Sequence, residues 1–230
     1  MIKGKGIFIV LGMHRSGTSM VAGLLNGSGI YMGSTFRKPL PENPLGFFEE
    51  ESFRILNDDL LHKAGYTVKE WSTDFSGIVP DAEAVSGAIN LITHFDRTHN
   101  NWGWKDPRTC LTIPVWLKAL QSLNVLHKTN IIVVERSVQS VSQSLIARGN
   151  VADFRHGEAL CAMYRKNREK GMLDYAGRLR SLRVNYEHLV KGQDINRLEE
   201  FCGIVVDREF IDPSLDHSTK ENQLRSPRHE

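Results

Sequence analysis

Hydrophobic residues along this chain form short uninterrupted runs, separated by longer segments in which they recur every three or four positions. The segments 6–11 and 130–136 are built on continuous apolar runs, which are typical of strands buried on both faces of a sheet. Further short strands are predicted at 101–104 and 182–186. Helices are predicted over 18–27, from Glu49 onwards, and over 81–98, 112–122, 138–148, 155–176 and 193–202. Because helices separate the strands, we expect a three-layer α/β fold in which helices flank a central parallel sheet.

The polar loop that follows the first strand is a candidate phosphate-binding loop. Gly12 and Gly17 bracket it with the Gly-x4-Gly spacing of nucleotide-binding P-loops, and a helix-compatible run follows. Thr18 stands where a P-loop kinase or ATPase places a lysine on its phosphates, and the cation of this loop is Arg15 instead. We therefore expect a P-loop-like fold whose loop binds an anion with one fewer phosphoryl group than a nucleoside triphosphate. The alternative is a glycine-rich turn that only links a strand to a helix.

Charged residues also occur where other predicted strands and loops end. Lys105, Asp106 and Arg108 follow the strand at 101–104, and Arg136 closes the strand at 130–136. In open parallel sheets, ligands bind at the edge formed by the carboxyl ends of the strands. Within the acidic triplet 49–51, the second and third glutamates suit the first turn of a helix, whereas the first lies at the loop–helix junction. These positions predict one polar site at one edge of the sheet.

Two long irregular segments, 31–48 and 66–80, are predicted to be binding loops or lids. A single domain is expected over 1–211, followed by a polar tail over 212–230. The chain has 230 residues, 40% of them hydrophobic, which suits one globular domain.

Charge and cysteine usage narrow the functional classes. The formal net charge is +2, so no polycationic surface for nucleic acid is predicted. Three cysteines lie far apart, lack metal-ligand spacing and fit buried thiols in a reducing compartment; we expect no metal. No signal peptide is evident before the first strand, and no apolar run reaches membrane-spanning length. We therefore predict a soluble cytoplasmic protein; the sequence leaves its oligomeric state open.

Several motifs together resemble sulfotransferases that use 3′-phosphoadenosine 5′-phosphosulfate (PAPS) as sulfonyl donor. The loop 12–19 resembles their 5′-phosphosulfate-binding loop, and Arg136 with Ser144 eight positions later resembles their 3′-phosphate-binding element. The segments 43–49 and 104–108 are similar to a bacterial-type sulfotransferase family, and Tyr186 opens a Tyr-Glu-x-Leu segment similar to the same superfamily. The resemblance covers most of residues 6–190.

This resemblance implies specific roles. The implied donor-binding residues are His14, Arg15, Ser16, Gly17, Thr18, Ser19, Arg136, Ser144 and Tyr186. The implied catalytic residues are Arg15, Lys105, which would stabilise growing charge, and Glu49, which would act as general base. His14, His94 and His99 are rival bases. The acceptor would be a hydroxyl or amine of a small molecule, carbohydrate or peptide.

Two other functional classes fit parts of the pattern. A P-loop nucleotide or small-molecule kinase would share the loop but needs the missing lysine and a magnesium-binding acid. A non-catalytic nucleotide-binding module would bind the donor without transferring it to any acceptor.

Overall fold

The computed structural model describes residues 5–36, 46–206 and 211, and its centre is a four-stranded parallel sheet. The strands, in the spatial order β2-β1-β3-β4, are β2 (Asn101–Lys105), β1 (Gly6–Leu11), β3 (Thr129–Glu135) and β4 (Arg180–Asn185). In register, Ile9 of β1 lies beside Trp104 and Ile131 of its neighbours. The carboxyl ends of these strands therefore meet at one edge, and the predicted α/β fold with a parallel central sheet is confirmed.

Helices cover both faces of this sheet. They are α1 (Thr18–Gly27), α2 (Glu51–Lys63), α3 (Ala82–Thr98), α4 (Thr109–Ser122), α5 (Val138–Ile146), α6 (Phe154–Leu173), α7 (Tyr186–Val190) and α8 (Ile195–Cys202). Successive side chains of β1 alternate between two cores: Ile7 and Ile9 pack towards α2–α6, and Phe8 and Val10 pack towards α1 and α8. All of β1 is buried, which explains its continuously apolar sequence.

The larger core holds an aromatic stack that supports the site edge of the sheet. The rings of Phe53 and Trp104 stack with centroids 4.6 Å apart, and Trp116 lies 4.9 Å from Trp104. Trp102 is also fully buried, as expected of a core residue. The three cysteines are buried free thiols, which confirms their predicted placement in the core.

Several boundaries differ from the prediction, two of them next to the candidate site. Helix α4 begins at Thr109, directly after the proline turn, rather than at 112. The last strand ends at Asn185, because the Asn185 side chain accepts a hydrogen bond from the His188 backbone N–H (3.0 Å) and starts α7. Tyr186, predicted as the end of a strand, is therefore the first residue of a helix.

Two predicted features fall outside the described residues: the proline-rich part of the 31–48 loop, at 37–45, and the polar tail over 212–230. Among the helices that the structure describes, none combines the length and apolar character needed to cross a bilayer.

Candidate functional site

The loop between β1 and α1 is a tight turn that leads into the N-terminus of a helix. Arg15 and Gly17 both adopt left-handed conformations, with φ of 70° and 88°. The Ser16 backbone N–H and hydroxyl both donate to the Met13 carbonyl, at 3.2 and 2.6 Å, which closes the turn. Helix α1 starts immediately afterwards at Thr18, so its positive N-terminal end lies at the loop.

Gly17 is in close contact with Tyr186, although 168 residues separate them in the sequence. A Cβ atom on Gly17 would overlap the Tyr186 ring, so no larger residue fits there without displacing the ring. The Arg136 guanidinium lies over the same Tyr186 ring, with its central carbon 4.5 Å from the ring centroid. The end of β4 thus fixes both the loop and an arginine that follows β3.

The two predicted donor-binding elements meet directly. The Arg15 Nε donates to the Ser144 hydroxyl (2.8 Å), and one Arg136 terminal nitrogen donates to the Arg15 carbonyl (3.1 Å). Arg15 comes from the loop after β1, Arg136 follows β3, and Ser144 lies on α5, eight residues further along. Parallel strand pairing brings these three residues into contact at the carboxyl edge of the sheet.

The three consecutive glutamates before α2 have three different partners. Glu49 accepts a hydrogen bond from Lys105 Nζ (2.9 Å). One carboxylate oxygen of Glu50 accepts the backbone N–H groups of residues 34 and 35 (2.7 and 2.9 Å). Glu51 lies in the first turn of α2 and pairs with Arg54. Only Glu49 therefore reaches the charged residues at the end of β2, as its position at the junction predicts.

Lys105 and Glu49 form a buried ion pair. Their side chains are 1% and 11% exposed, and Arg108 lies 3.6 Å from the second Glu49 oxygen. Burial pushes the pKa of Glu49 upward, but the Lys105 charge and hydrogen bond outweigh it and lower the pKa to about 2. Glu49 is therefore a carboxylate at neutral pH, held by a cation that is itself a predicted catalytic residue.

His14 is neutral in the same region. Burial, together with the charge of Arg108, lowers the pKa of His14 to about 3. Its ring lies edge-on to Trp71, with centroids 5.2 Å apart, and its Nε2 has no hydrogen-bond partner among the described residues. The other rival bases, His94 and His99, lie at the C-terminal end of α3, away from this loop.

A buried amide that the sequence prediction missed supports the end of β2. The Asn57 side chain donates to Asp106 (2.9 Å) and Thr109 (3.1 Å), and it accepts from Thr112 (2.6 Å) and Trp116 (2.9 Å). The network holds Asp106, which in turn accepts from Arg108. Asn57 lies four residues after Phe53 on the buried face of α2. A polar residue within an apolar helical stripe is the sequence pattern that could have indicated this buried amide.

A cavity of about 1140 Å³ opens beside the loop. Six predicted site residues line it: His14, Arg15, Thr18, Ser19, Glu49 and Lys105. Four other predicted site residues do not line this cavity but are connected to Arg15 by contacts. Ser144 and Arg136 contact Arg15 directly, and Tyr186 contacts both Arg136 and Gly17. Ser16 is buried beneath the loop. Within the described part of the chain, no three His, Cys, Asp or Glu side chains come together as a metal site.

Comparison with known proteins identifies the fold. The chain matches no protein-family model and no curated protein by sequence. All of it aligns with 92% of the sulfotransferase domain from the Synechococcus PCC 7002 olefin synthase (TM-score 0.55, 16% identity). Similarly, 98% of it aligns with 94% of the sulfotransferase domain from the curacin biosynthetic pathway (TM-score 0.51, 18% identity). The protein therefore has the P-loop-like α/β fold of sulfotransferase domains.

Proposed function

We propose that this protein is a sulfotransferase that moves a sulfonyl group from PAPS to a hydroxyl or amine of an acceptor. The observation that carries the proposal is the contact of Arg15 with both Ser144 and Arg136. PAPS carries anionic groups at its 5′ and 3′ ends, and a site for it needs cations from two elements that lie close together. The left-handed turn at Arg15 and Gly17 and the N-terminus of α1 fit the 5′ end of such a ligand.

The proposed roles follow from these positions. Arg15 and the loop backbone would hold the 5′-phosphosulfate, helped by the hydroxyls of Thr18 and Ser19. Arg136 and Ser144 would hold the 3′-phosphate, and the Tyr186 ring under Arg136 would keep the guanidinium in place. In the transfer, the bond from sulfur to the phosphate oxygen breaks and the phosphate keeps the electron pair. The acceptor oxygen or nitrogen bonds to sulfur and loses its proton to Glu49.

The ion pair between Lys105 and Glu49 determines the sequence of donor binding and proton abstraction in this reaction. Before the donor binds, the two side chains neutralise each other. Since Lys105 lines the same cavity as Arg15, we expect its ammonium to leave Glu49 for the charge that develops at the sulfonyl end. Burial then acts on Glu49 without the opposing Lys105 charge and raises its pKa, which makes the carboxylate a better base. Proton abstraction therefore follows donor binding.

Thermal unfolding with three nucleotides tests the function. We expect 3′-phosphoadenosine 5′-phosphate (PAP), the donor product, to raise the midpoint well above the shift given by AMP, since a ligand that binds the native state stabilises it. The shift with PAP should fall in Arg136→Met, which removes the cation for the 3′-phosphate. Stabilisation by ATP with Mg²⁺ but not by PAP would contradict the proposal and favour the kinase. Binding of PAP without transfer to any acceptor would identify a non-catalytic module.

A further inference from the structure

One part of the cavity lining is a ladder of paired charges along α2. Arg54 donates to Glu51 (2.9 Å) and to Asp58 (2.6 Å), and Asp58 also accepts a hydrogen bond from Arg108 Nε (2.6 Å). The side chains of Arg54, Glu51 and Asp58 are 28%, 38% and 40% exposed, so each keeps hydrogen-bonding capacity towards the cavity that they line. The pairing fixes their positions before any ligand arrives.

Away from the donor end, the lining to which the ladder belongs carries equal numbers of positive and negative side chains. Apart from Arg15 and Lys105, which are assigned to the donor, the described lining residues include four carboxylates and four lysines or arginines. A strongly anionic or cationic acceptor gains little from such a lining. An apolar acceptor would remove several charged groups from water without offering them hydrogen bonds, which costs free energy. A neutral acceptor rich in hydroxyl groups can satisfy both signs of charge.

Several aromatic side chains line the same cavity, namely Phe36, Phe47, Tyr66 and Trp71. Among them, Trp71 has a position that is fixed from several sides. Its backbone has φ of 51°, a conformation that bulky residues rarely adopt. The backbone N–H of Trp71 donates to the Val68 carbonyl (3.1 Å), and the backbone carbonyl of Trp71 accepts a hydrogen bond from His156 Nε2 (2.7 Å). The His14 ring lies edge-on to the indole. A fixed, partly exposed indole offers an electron-rich face to the C–H groups of a flat ligand.

We propose that this cavity takes a neutral saccharide as the sulfonyl acceptor, with its hydroxyls on the α2 ladder and its C–H face on Trp71. The proposal rests on the proposed function and names the acceptor class for it. A cavity of about 1140 Å³ leaves room for two or three sugar rings beside the sulfonyl end of the donor. The hydroxyl that reaches the space beside Glu49 is the one sulfated.

Trp71 is a built-in reporter for this proposal. The chain has four tryptophans, and Trp102, Trp104 and Trp116 are all fully buried. Acrylamide should therefore quench Trp71 selectively. In the presence of PAP, we expect maltose or cellobiose to reduce this quenching at least threefold, and 1-hexanol or N-acetyltyrosinamide to leave it unchanged. In Trp71→Phe, the saccharide-dependent change should disappear. Equal protection by hexanol or tyrosinamide, or none by either disaccharide, would overturn the saccharide assignment.

Kinetics separate this proposal from the proposed function. With PAPS and a saccharide acceptor, Trp71→Ala should raise KM for the acceptor at least tenfold, leave PAP affinity within twofold, and be rescued largely by Trp71→Phe. Val79→Ala, at a side chain that is 85% exposed and outside the cavity, is the matched control and should change neither. If PAP binds but sulfation occurs only on a phenol or an alkyl alcohol, the acceptor class is wrong and the function stands. If PAP does not bind, the proposed function fails first.

Discussion

The ammonium of Lys105 lies 2.9 Å from the carboxylate of Glu49, and the two side chains are almost wholly buried although they lie 56 positions apart in the sequence. Such a pair is costly to break from one side, because the remaining charge stays buried without its partner. We expect Lys105→Met to lower the free energy of unfolding by about 3 kcal/mol in urea titrations at pH 7. The double variant Lys105→Met/Glu49→Gln should recover much of that loss.

An exposed pair in the same protein is the matched control. Lys63 and Glu83 lie 2.6 Å apart, with side chains 59% and 80% exposed. Lys63→Met should change the free energy of unfolding far less than Lys105→Met does, because solvent screens an exposed pair. Equal effects of Lys63→Met and Lys105→Met would contradict a buried, mutually dependent pair at the site.

The same pair predicts how stability depends on pH. The pKa of Glu49 falls from the ordinary value of 4.5 to about 2 on folding, so the unfolded chain binds more protons in this range. The stabilisation is complete above about pH 4.5 and is lost as the pH falls towards 2. We expect the stability difference between the wild type and the double variant to be constant from pH 7 to 5 and to shrink below 4.5. A difference that grows on acidification would contradict the lowered pKa.

Glu49 and His14 can be distinguished as bases by turnover with any acceptor that the protein sulfates. We expect Glu49→Gln to reduce kcat by about 10²- to 10⁴-fold without weakening PAP binding, since it removes a proton acceptor. His14→Gln should reduce kcat less than tenfold, because glutamine, like the neutral ring of His14, is polar and uncharged. A larger loss in His14→Gln than in Glu49→Gln would transfer the role of base to His14.

The contact between Gly17 and Tyr186 predicts an effect beyond backbone strain. Gly17 and Gly29 have nearly equal φ values, 88° and 87°, but a Cβ on Gly29 would meet nothing within 4 Å. Gly29→Ala should therefore cost only the backbone strain, about 1 kcal/mol, as measured by urea unfolding. Gly17→Ala should lower the free energy of unfolding clearly more than Gly29→Ala does. It should also weaken PAP binding, because the loop or the Tyr186 ring must move. Equal costs at the two positions would mean that Tyr186 does not restrict the loop.

Local patterns were sufficient to predict much of the fold. The continuous apolar run before Gly12 predicts a strand buried on both faces, and β1 has this burial. Helix boundaries were less accurate where a side chain decides them. The Asn185 side-chain cap ends β4 one residue early. Backbone hydrogen bonds from Thr109 and Cys110 to the turn at 106–107 start α4 earlier than predicted. These features depend on individual hydrogen bonds that hydrophobic periodicity does not encode.

Sequence reasoning chose residues at strand ends but could not supply their partners. The contact of Arg15 with Ser144 joins residues 129 positions apart, and it exists because β1 and β3 are adjacent in the sheet. Asn57 was missed because the apolar pattern of α2 does not show that a polar residue on the same face is buried. The ladder through Arg54 and Asp58 was missed because charged helical residues usually face solvent.

Calorimetric titration of PAP into four proteins tests the central claim most directly, namely that Arg15 and Arg136 bind opposite ends of one nucleotide. The proteins are the wild type, Arg15→Met, Arg136→Met and the double variant. We expect each single variant to lose about 10- to 100-fold in PAP affinity, equivalent to about 1.5–3 kcal/mol for a charge-assisted contact. Arg136→Met should leave the weaker affinity for AMP unchanged, whereas Arg15→Met should reduce it. Wild-type affinity for PAP in Arg136→Met, or equal binding of PAP and AMP by the wild type, would contradict the claim.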